Sequence, residues 1–378
     1  MKKIIVLGST GSIGRNTLKV VSGLKGYKIV GIAAHTDHAA LLKQAASVKP
    51  RAIALIAGDR HYKEIKSSVK NMKFFCGEEG IKDMIRALDA DILVAAFASA
   101  VGIDGILHAI EKKMKLCLAT KELLVTYGEI IMRQIKKSRT AISPIDSEHS
   151  AVSQCLEGRK PSEVLAIILT ASGGPFLDRS IKNVVKADVL NHPVWKMGAK
   201  ITVDSATMMN KGLEIIEARH LFGIPADKIK VAIHPEALCH SLVQFIDGSM
   251  LCQVSSPDMK LPIQYALTAP ARWPCPVKYL DIRKVKALHF RMPDKRKFRC
   301  LGLAYEALRI GKSMPAVLNG ANAAAVRSFL EGRLKFDMIP SVIETVMGNH
   351  QPRAGGIKEY RDAEKWAFHA AYRRSGQC

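Results

Sequence analysis

"VLGSTGSIGRNT", Val6 to Thr17, sets Gly8, Gly11 and Gly14 between a short apolar run and a stretch with helical spacing. Glycine lets a backbone turn sharply and lets another group approach it closely. An apolar strand, a glycine-rich turn and a helix in that order form the opening of a parallel α/β unit. The spacing is G-x-x-G-x-x-G, a variant of the G-x-G-x-x-G turn that seats a diphosphate on a helix N-terminus. The loop therefore predicts dinucleotide binding.

Outward from this loop, the first part of the chain alternates apolar runs with amphipathic stretches. The runs Lys3–Leu7, Lys28–Ala34, Ala52–Ala57, Ile92–Ala95, Leu116–Ala119 and Thr140–Ile145 read as strands. Arg15–Leu24 and His38–Val48 read as helices. This alternation predicts a Rossmann-like parallel sheet over residues 1–145. The character changes near Val164. "EVLAIILTA" is a strand, "SLVQFIDG" and "MLCQVSS" form a hairpin about Asp247-Gly248, and a helix starts near Asp204. An α+β catalytic domain is expected over residues 146–268. Residues 177–200 lack strong periodicity and read as a lid. Residues 269–298, rich in proline and charge, read as a linker, and residues 299–378 as a bundle of four helices.

The chain has 378 residues and 48% hydrophobic content, and no apolar run reaches the length of a membrane span. A strand beginning at Lys3 leaves no room for a cleavable leader, so a cytoplasmic protein is expected. The eight cysteines form no C-x-x-C pair, which argues against a zinc ribbon or a disulfide framework. The formal net charge of +23 attracts anions, phosphorylated small molecules included. Basic residues are spread along the chain, densest in "RKVKALHFRMPDKRK", Arg283 to Lys297. With 6% aromatics and no nucleic-acid-binding signature, a nucleic-acid partner is not expected.

Three further stretches carry chemistry. In "SPIDSEHSA", Asp146 and Glu148 stand two apart after an apolar run. From an extended strand end both carboxylates can point the same way, as hard ligands for a divalent cation. Such a pair is most often solvated, but the carboxyl end of a parallel strand is where ligands bind. In "VDSATMMNKGLEIIEA", Asp204 and Ser205 are N-cap candidates, and Asn210, Lys211 and Glu214 share a helix face. In "LTASGGPF", Ser172 offers a hydroxyl and Gly173 and Gly174 bare amides to an anion. His192 and Trp195 lie in the irregular segment, where they can reach a phosphate and cover a substrate. The polar residues at the end of the second strand, His35 and Thr36, precede Asp37. An acid placed earlier would favour NAD, so this strand end favours NADPH.

Taken together, "GSTGSIG", "TKELLV", "PIDSEHSA", "TASGGPF", "HPVWKMGAKITVDSATMMNKGLEIIEA" and "SSPDMKLPIQYAL" closely resemble the 1-deoxy-D-xylulose 5-phosphate reductoisomerase family. They occur in family order and cover most of residues 1–330. The resemblance implies an NADPH-binding domain, a catalytic domain with a lid, a helical C-terminal domain and a homodimer. It implies a divalent cation, Mg²⁺, Mn²⁺ or Co²⁺, held by Asp146, Glu148 and Glu214. The family's substrate positions fall on Lys121, Ser147, Glu148, Ser172, His192, Ser205, Asn210, Lys211 and Glu214, beside the candidate cover Trp195, and the catalytic set is Lys121, Asp146, Glu148 and Glu214. Its cofactor positions fall on Gly8, Thr10, Gly11, Ser12, Ile13, His35, Thr36, Asp37, Thr120, Glu122 and Gly198. The implied reaction rearranges the skeleton of a sugar phosphate with the metal as Lewis acid, then delivers hydride from NADPH.

The chain departs from the family at a few points. Thr120 stands where the family has Asn, which leaves one hydroxyl for the cofactor. The second strand ends in His35-Thr36-Asp37, "NAANE" becomes "NGANA" with Ala323 in the acid's place, and "HPEALCHS" lacks a polar-Ser pair. Two other readings compete. Another NADPH-dependent sugar-phosphate enzyme on the same scaffold would be told apart by substrate turnover. A basic RNA-binding regulator would show salt-sensitive binding that survives loss of Asp146.

Overall fold

The structure is a computed structural model that describes residues 1–57, 62–69, 71–97, 101–191, 195 and 197–376. The chain forms two compact units. The first comprises Met1–Leu123, Ile131–Ser153 and Asp258–Lys278, and the second Leu124–Ile130, Gln154–Pro257 and Tyr279–Cys378.

In chain order the first unit opens with β1 (Lys2–Leu7), α1 (Ser12–Gly23), β2 (Tyr27–Ala34), α2 (His38–Val48), β3 (Ala52–Leu55) and α3 (Tyr62–Ser68). It continues with β4 (Lys73–Cys76), α4 (Gly77–Ala87), β5 (Ile92–Ala95), α5 (Ile103–Glu111) and β6 (Lys115–Leu118). Then come α6 (Lys121–Ser138), whose stretch Leu124–Ile130 belongs to the second unit, β7 (Ile142–Pro144) and α7 (Ser147–Cys155). The seven strands are parallel, in the order β4-β3-β2-β1-β5-β6-β7. Ile4, Ile5, Val6 and Leu7 are each 0% exposed, as expected of a parallel strand covered on both faces. Burying each such side chain is worth roughly 1.5–3 kcal/mol. The first chain segment and the third share a core, in which Ile4, Val20 and Ile32 join Ile263, Ala266 and Leu267.

The strand pattern read from the sequence agrees with this sheet except at β4. "KFFC" is not marked as a strand by the apolar pattern. It is a short edge strand, with Lys73 exposed and the next three residues half-buried, so it lacks the continuous apolar run of its neighbours.

The second unit contains β8 (Val164–Ala171), α8 (Lys186–Leu190), α9 (Ala199–Ala206), α10 (Met209–Phe222), β9 (Ile229–Ile233), β10 (Cys239–Phe245) and β11 (Met250–Val254). Helix α11 (Lys260–Thr268) belongs to the first unit. Four helices close the chain: α12 (Arg299–Ile310), α13 (Met314–Leu330), α14 (Ile339–Gly348) and α15 (Ile357–Arg374). The sheet order is β11-β10-β8-β9, with β8 and β9 parallel and the remaining pairs antiparallel. The expected hairpin of β10 and β11 is present. Helix α13 packs closely on α15 through small residues. A Cβ on Gly320 would lie 2.2 Å from the Glu364 carbonyl oxygen.

Candidate functional site

The sheet order reverses between β1 and β5, and ligands of open α/β sheets bind outside the strand ends at such a point. Gly8 follows β1 with φ +78, and a Cβ there would lie 2.3 Å from the Ala96 carbonyl oxygen beyond β5. A Cβ on Gly14 would lie 2.2 Å from the Gly8 carbonyl oxygen. Both glycines are therefore required by the turn itself. Helix α1 starts at Ser12, and Gly11 at its N-cap supplies no side-chain cap, so an anion can serve the helix's first amides. Thr10 and Ile13 are half-buried, while Gly11 and Ser12 are exposed. This bare cradle fits a diphosphate.

His35, Thr36 and Asp37 are all exposed. The Asp37 carboxylate caps α2, accepting from the Ala40 amide at 3.0 Å. The late acid thus has a local task. Thr120 precedes α6 but does not cap it. Its hydroxyl donates to the Phe97 carbonyl at 2.6 Å, and the residue is 2% exposed. The hydroxyl expected to face the cofactor is engaged with the end of β5. Glu122 lies half-buried in the first turn of α6. Gly198 is exposed at the N-cap of α9.

The acid pair lies in the first unit. Asp146 receives Lys121 Nζ at 3.0 Å on one oxygen, and the other lies 3.0 Å from His149 Nδ1. Lys121 begins α6, just beyond β6, and Asp146 lies just beyond β7, so adjacent strand ends supply the pair. The expectation that Asp146 and Glu148 extend from a strand end is corrected. The strand stops at Pro144, and Glu148 sits in the first turn of α7. There its amide donates to Asp146 at 3.2 Å, and Ser147 Oγ donates to its carboxylate at 2.5 Å. A helix start, not a pleat, sets the acids side by side. His149 stands beside the two acids in the sequence, which assigns it no role. It is 0% exposed, and its only signal is the i, i+3 spacing from Asp146.

The second unit holds the stretches expected to bind an anion. Gly173 and Gly174 after β8 both have positive φ, +85 and +64, and the Gly174 amide donates to Ser172 Oγ at 3.3 Å. Asp204 and Ser205 are not N-caps. Helix α9 begins five residues earlier than Asp204, at Ala199, and α10 starts after Met208, which adopts a left-handed conformation. Asp204 is instead 2% exposed and accepts from Lys200 and Asn322, each at 2.8 Å. Ser205 is half-buried near the end of α9. The shared face of α10 is present: Asn210 donates to Glu214 at 2.5 Å, and Lys211 Nζ donates to its other oxygen. Lys211 and Glu214 are 3% and 1% exposed, so the pair is not a surface ion pair. A buried carboxylate with two donors is held in one orientation. Trp195 is half-buried, and His192 lies outside the described residues.

Hard carboxylate donors suit Mg²⁺ or Mn²⁺. A glycine cradle at the reversal of a parallel sheet points to a class: dinucleotide-dependent enzymes. Family models agree in detail. Residues 4–128 match the 1-deoxy-D-xylulose 5-phosphate reductoisomerase model, and residues 142–222 and 254–370 match its two C-terminal domain models. A reductoisomerase of Pelotomaculum thermopropionicum is 45% identical over 377 residues, 97% of each chain. That of Thermodesulfovibrio yellowstonii is 44% identical over 100% of both. The solved reductoisomerase from Zymomonas mobilis in complex with NADPH superposes with a TM-score of 0.93, at 33% identity over 100% of both chains. A DOX-P reductoisomerase in complex with NADPH, fosmidomycin and magnesium gives 0.94, at 34% identity over 99% of this chain and 98% of that one. The chain belongs to the 1-deoxy-D-xylulose 5-phosphate reductoisomerase family.

Proposed function

We propose that this chain converts 1-deoxy-D-xylulose 5-phosphate into 2-C-methyl-D-erythritol 4-phosphate in the non-mevalonate isoprenoid pathway, using NADPH and a divalent cation. The full-length identity of 45% to a reductoisomerase carries this reading. Neither competing reading is favoured by an observation.

Asp146, Glu148 and Glu214 are the proposed ligands of Mg²⁺, Mn²⁺ or Co²⁺. The bound cation would supply Lewis acidity to the substrate's oxygens. The chain's own residues aim the carboxylates. Lys121 and His149 fix the Asp146 carboxylate, Ser147 orients Glu148, and Asn210 and Lys211 orient Glu214. Ser172, His192, Ser205, Asn210 and Lys211 grip the phosphate, and Lys121 and Ser147 contact the sugar. The cradle of Gly8, Thr10, Gly11, Ser12 and Ile13 receives the NADPH diphosphate, with His35 to Asp37, Thr120, Glu122 and Gly198 along the rest of the cofactor.

Residues 177–200 act as a lid, with Trp195 set against the substrate's carbons to exclude water. Val185 and Leu190 are 60% and 36% exposed, which is apolar surface suited to covering a ligand. Hydrogen exchange should slow across the segment when a metal-chelating phosphonate binds; equal exchange in both states would make it a fixed wall. A homodimer in the cytoplasm fits the family pattern, and light scattering would show a doubled mass.

The decisive assay is product identification. With substrate, NADPH and Mg²⁺, one NADPH should be oxidised per molecule of 2-C-methyl-D-erythritol 4-phosphate formed, and chelation should stop both. A different product, or turnover indifferent to chelation, would reject the assignment.

A further inference from the structure

Cys239 and Cys252 are brought together by an irregularity in the hairpin of β10 and β11. Leu242 pairs with Cys252 and Ser241 with Gln253, but the register then shifts and Cys239 pairs with Val254. In a regular ladder Cys239 would point to the face opposite Cys252, because side chains alternate. The bulge absorbs His240 and turns Cys239 onto the face of Cys252 and Val254. The Cys239 sulfur lies 3.8 Å from the Ser241 carbonyl oxygen, and the register makes Cys239 and Cys252 diagonal neighbours on one face of the hairpin. The two differ sharply in access: Cys239 is 0% exposed, whereas Cys252 is exposed on β11. Neither belongs to the proposed metal, phosphate or cofactor groups.

We propose that Cys252 and Cys239 form an oxidative modification site, at which a hydroperoxide converts the dithiol into an intramolecular disulfide. The exposed Cys252 sulfur attacks the peroxide. An S–O bond forms, the O–O bond breaks, and the peroxide's other oxygen leaves as hydroxide or alkoxide and takes up the Cys252 proton; sulfur is oxidised to a sulfenic acid as the peroxide is reduced. The Cys239 sulfur then displaces that hydroxyl. The S–S bond forms, the S–O bond breaks, and the Cys239 proton leaves with it as water. Two thiols and one hydroperoxide yield one disulfide, water and the reduced peroxide.

The electrostatics agree with this order. The hydrogen bond from Cys239 holds the Cys252 thiol below its usual range, outweighing partial burial. The same bond, then burial, pushes Cys239 up. Cys155 is buried and pushed up to about 11, mainly by desolvation. Cys117 and Cys300 are pushed up to about 12 by burial. Among the described cysteines, Cys252 combines exposure with a stabilised thiolate, the requirement for selective oxidation.

The test uses the full-length reduced protein, limiting hydrogen peroxide, alkylation of remaining thiols and peptide mass mapping. The expected product is a dithiothreitol-reversible link between the Cys239 and Cys252 peptides. Unoxidised Cys252 should alkylate about ten-fold faster than Cys275, which is half-buried. In Cys239→Ala, Cys252 should react more slowly and accumulate a sulfenic acid that dimedone traps. In Cys252→Ala, which leaves the buried strand intact, Cys239 should stay reduced. A link between Cys252 residues of two molecules, alkylation no faster than Cys275, or oxidation of Cys239 in Cys252→Ala would each overturn the proposal.

Discussion

The glycine loop and helix α10 handle charge in opposite ways. The loop from Gly8 to Gly14 presents backbone, and its specificity lies in what is missing: two Cβ atoms that would collide with carbonyl oxygens. Helix α10 buries its charges, placing Lys211, Glu214 and Glu217 at 3%, 1% and 0% exposure. Taking a charge out of water is costly unless partners are fixed in place. The first region should therefore tolerate no added atom, and the second no lost or misplaced charge.

The largest effect is expected at Gly8. Gly8→Ala combines a left-handed backbone with a contact at 2.3 Å against main chain that cannot swing away. It should cost roughly 3 kcal/mol in urea unfolding and remove measurable NADPH binding. An alanine variant of wild-type stability and affinity would break the contrast on the loop side.

The charged region makes a prediction in acid. His220, on α10, is held at about 4 by burial, with the neighbouring Arg219 adding to the effect. It packs against α6 at Gly128, where a Cβ would lie 2.3 Å from its ring. Its folded value is below its unfolded one, so the unfolded state binds more protons between about pH 4 and 6.5. Its contribution is complete above pH 6.5 and is lost as pH falls toward 4, up to about 3 kcal/mol. His220→Gln should flatten the stability profile over that window. An unchanged slope would assign acid sensitivity elsewhere.

A smaller effect sharpens the reading of the loop's neighbour. Asp37 caps α2, so Asp37→Ala should cost about 1 kcal/mol of stability. It should leave the ratio of kcat/KM for NADPH over NADH nearly unchanged and well above one. A marked shift in that ratio would give Asp37 a role at the cofactor's ribose.

Much of this was legible in the sequence, for reasons that differ by region. Buried parallel strands such as β1 and β5 are continuous apolar runs, and the glycine loop announces itself by residue type. The face of Asn210, Lys211 and Glu214 follows from helical spacing alone. The break between α9 and α10 was illegible, because no glycine or proline marks it and Met208 takes the left-handed turn. Without that break, Asp204 and Ser205 resemble caps. Asp204 is instead tied to Asn322, 118 residues further on, a pairing that no local pattern encodes. The same holds for Thr120, whose hydroxyl turns to Phe97, and for Cys239, which changes face only because of a bulge.

In the proposed site, cofactor and metal are held by separable machinery, one made of backbone and one of oriented carboxylates. Measuring NADPH and Mn²⁺ affinity side by side in Glu214→Gln tests it most directly, since the substitution keeps shape and removes charge. The account predicts at least about a hundredfold weaker Mn²⁺ binding, as expected for a lost charged ligand, with NADPH affinity unchanged. Mn²⁺ binding equal to that of the wild type would remove Glu214 from the metal site and contradict it.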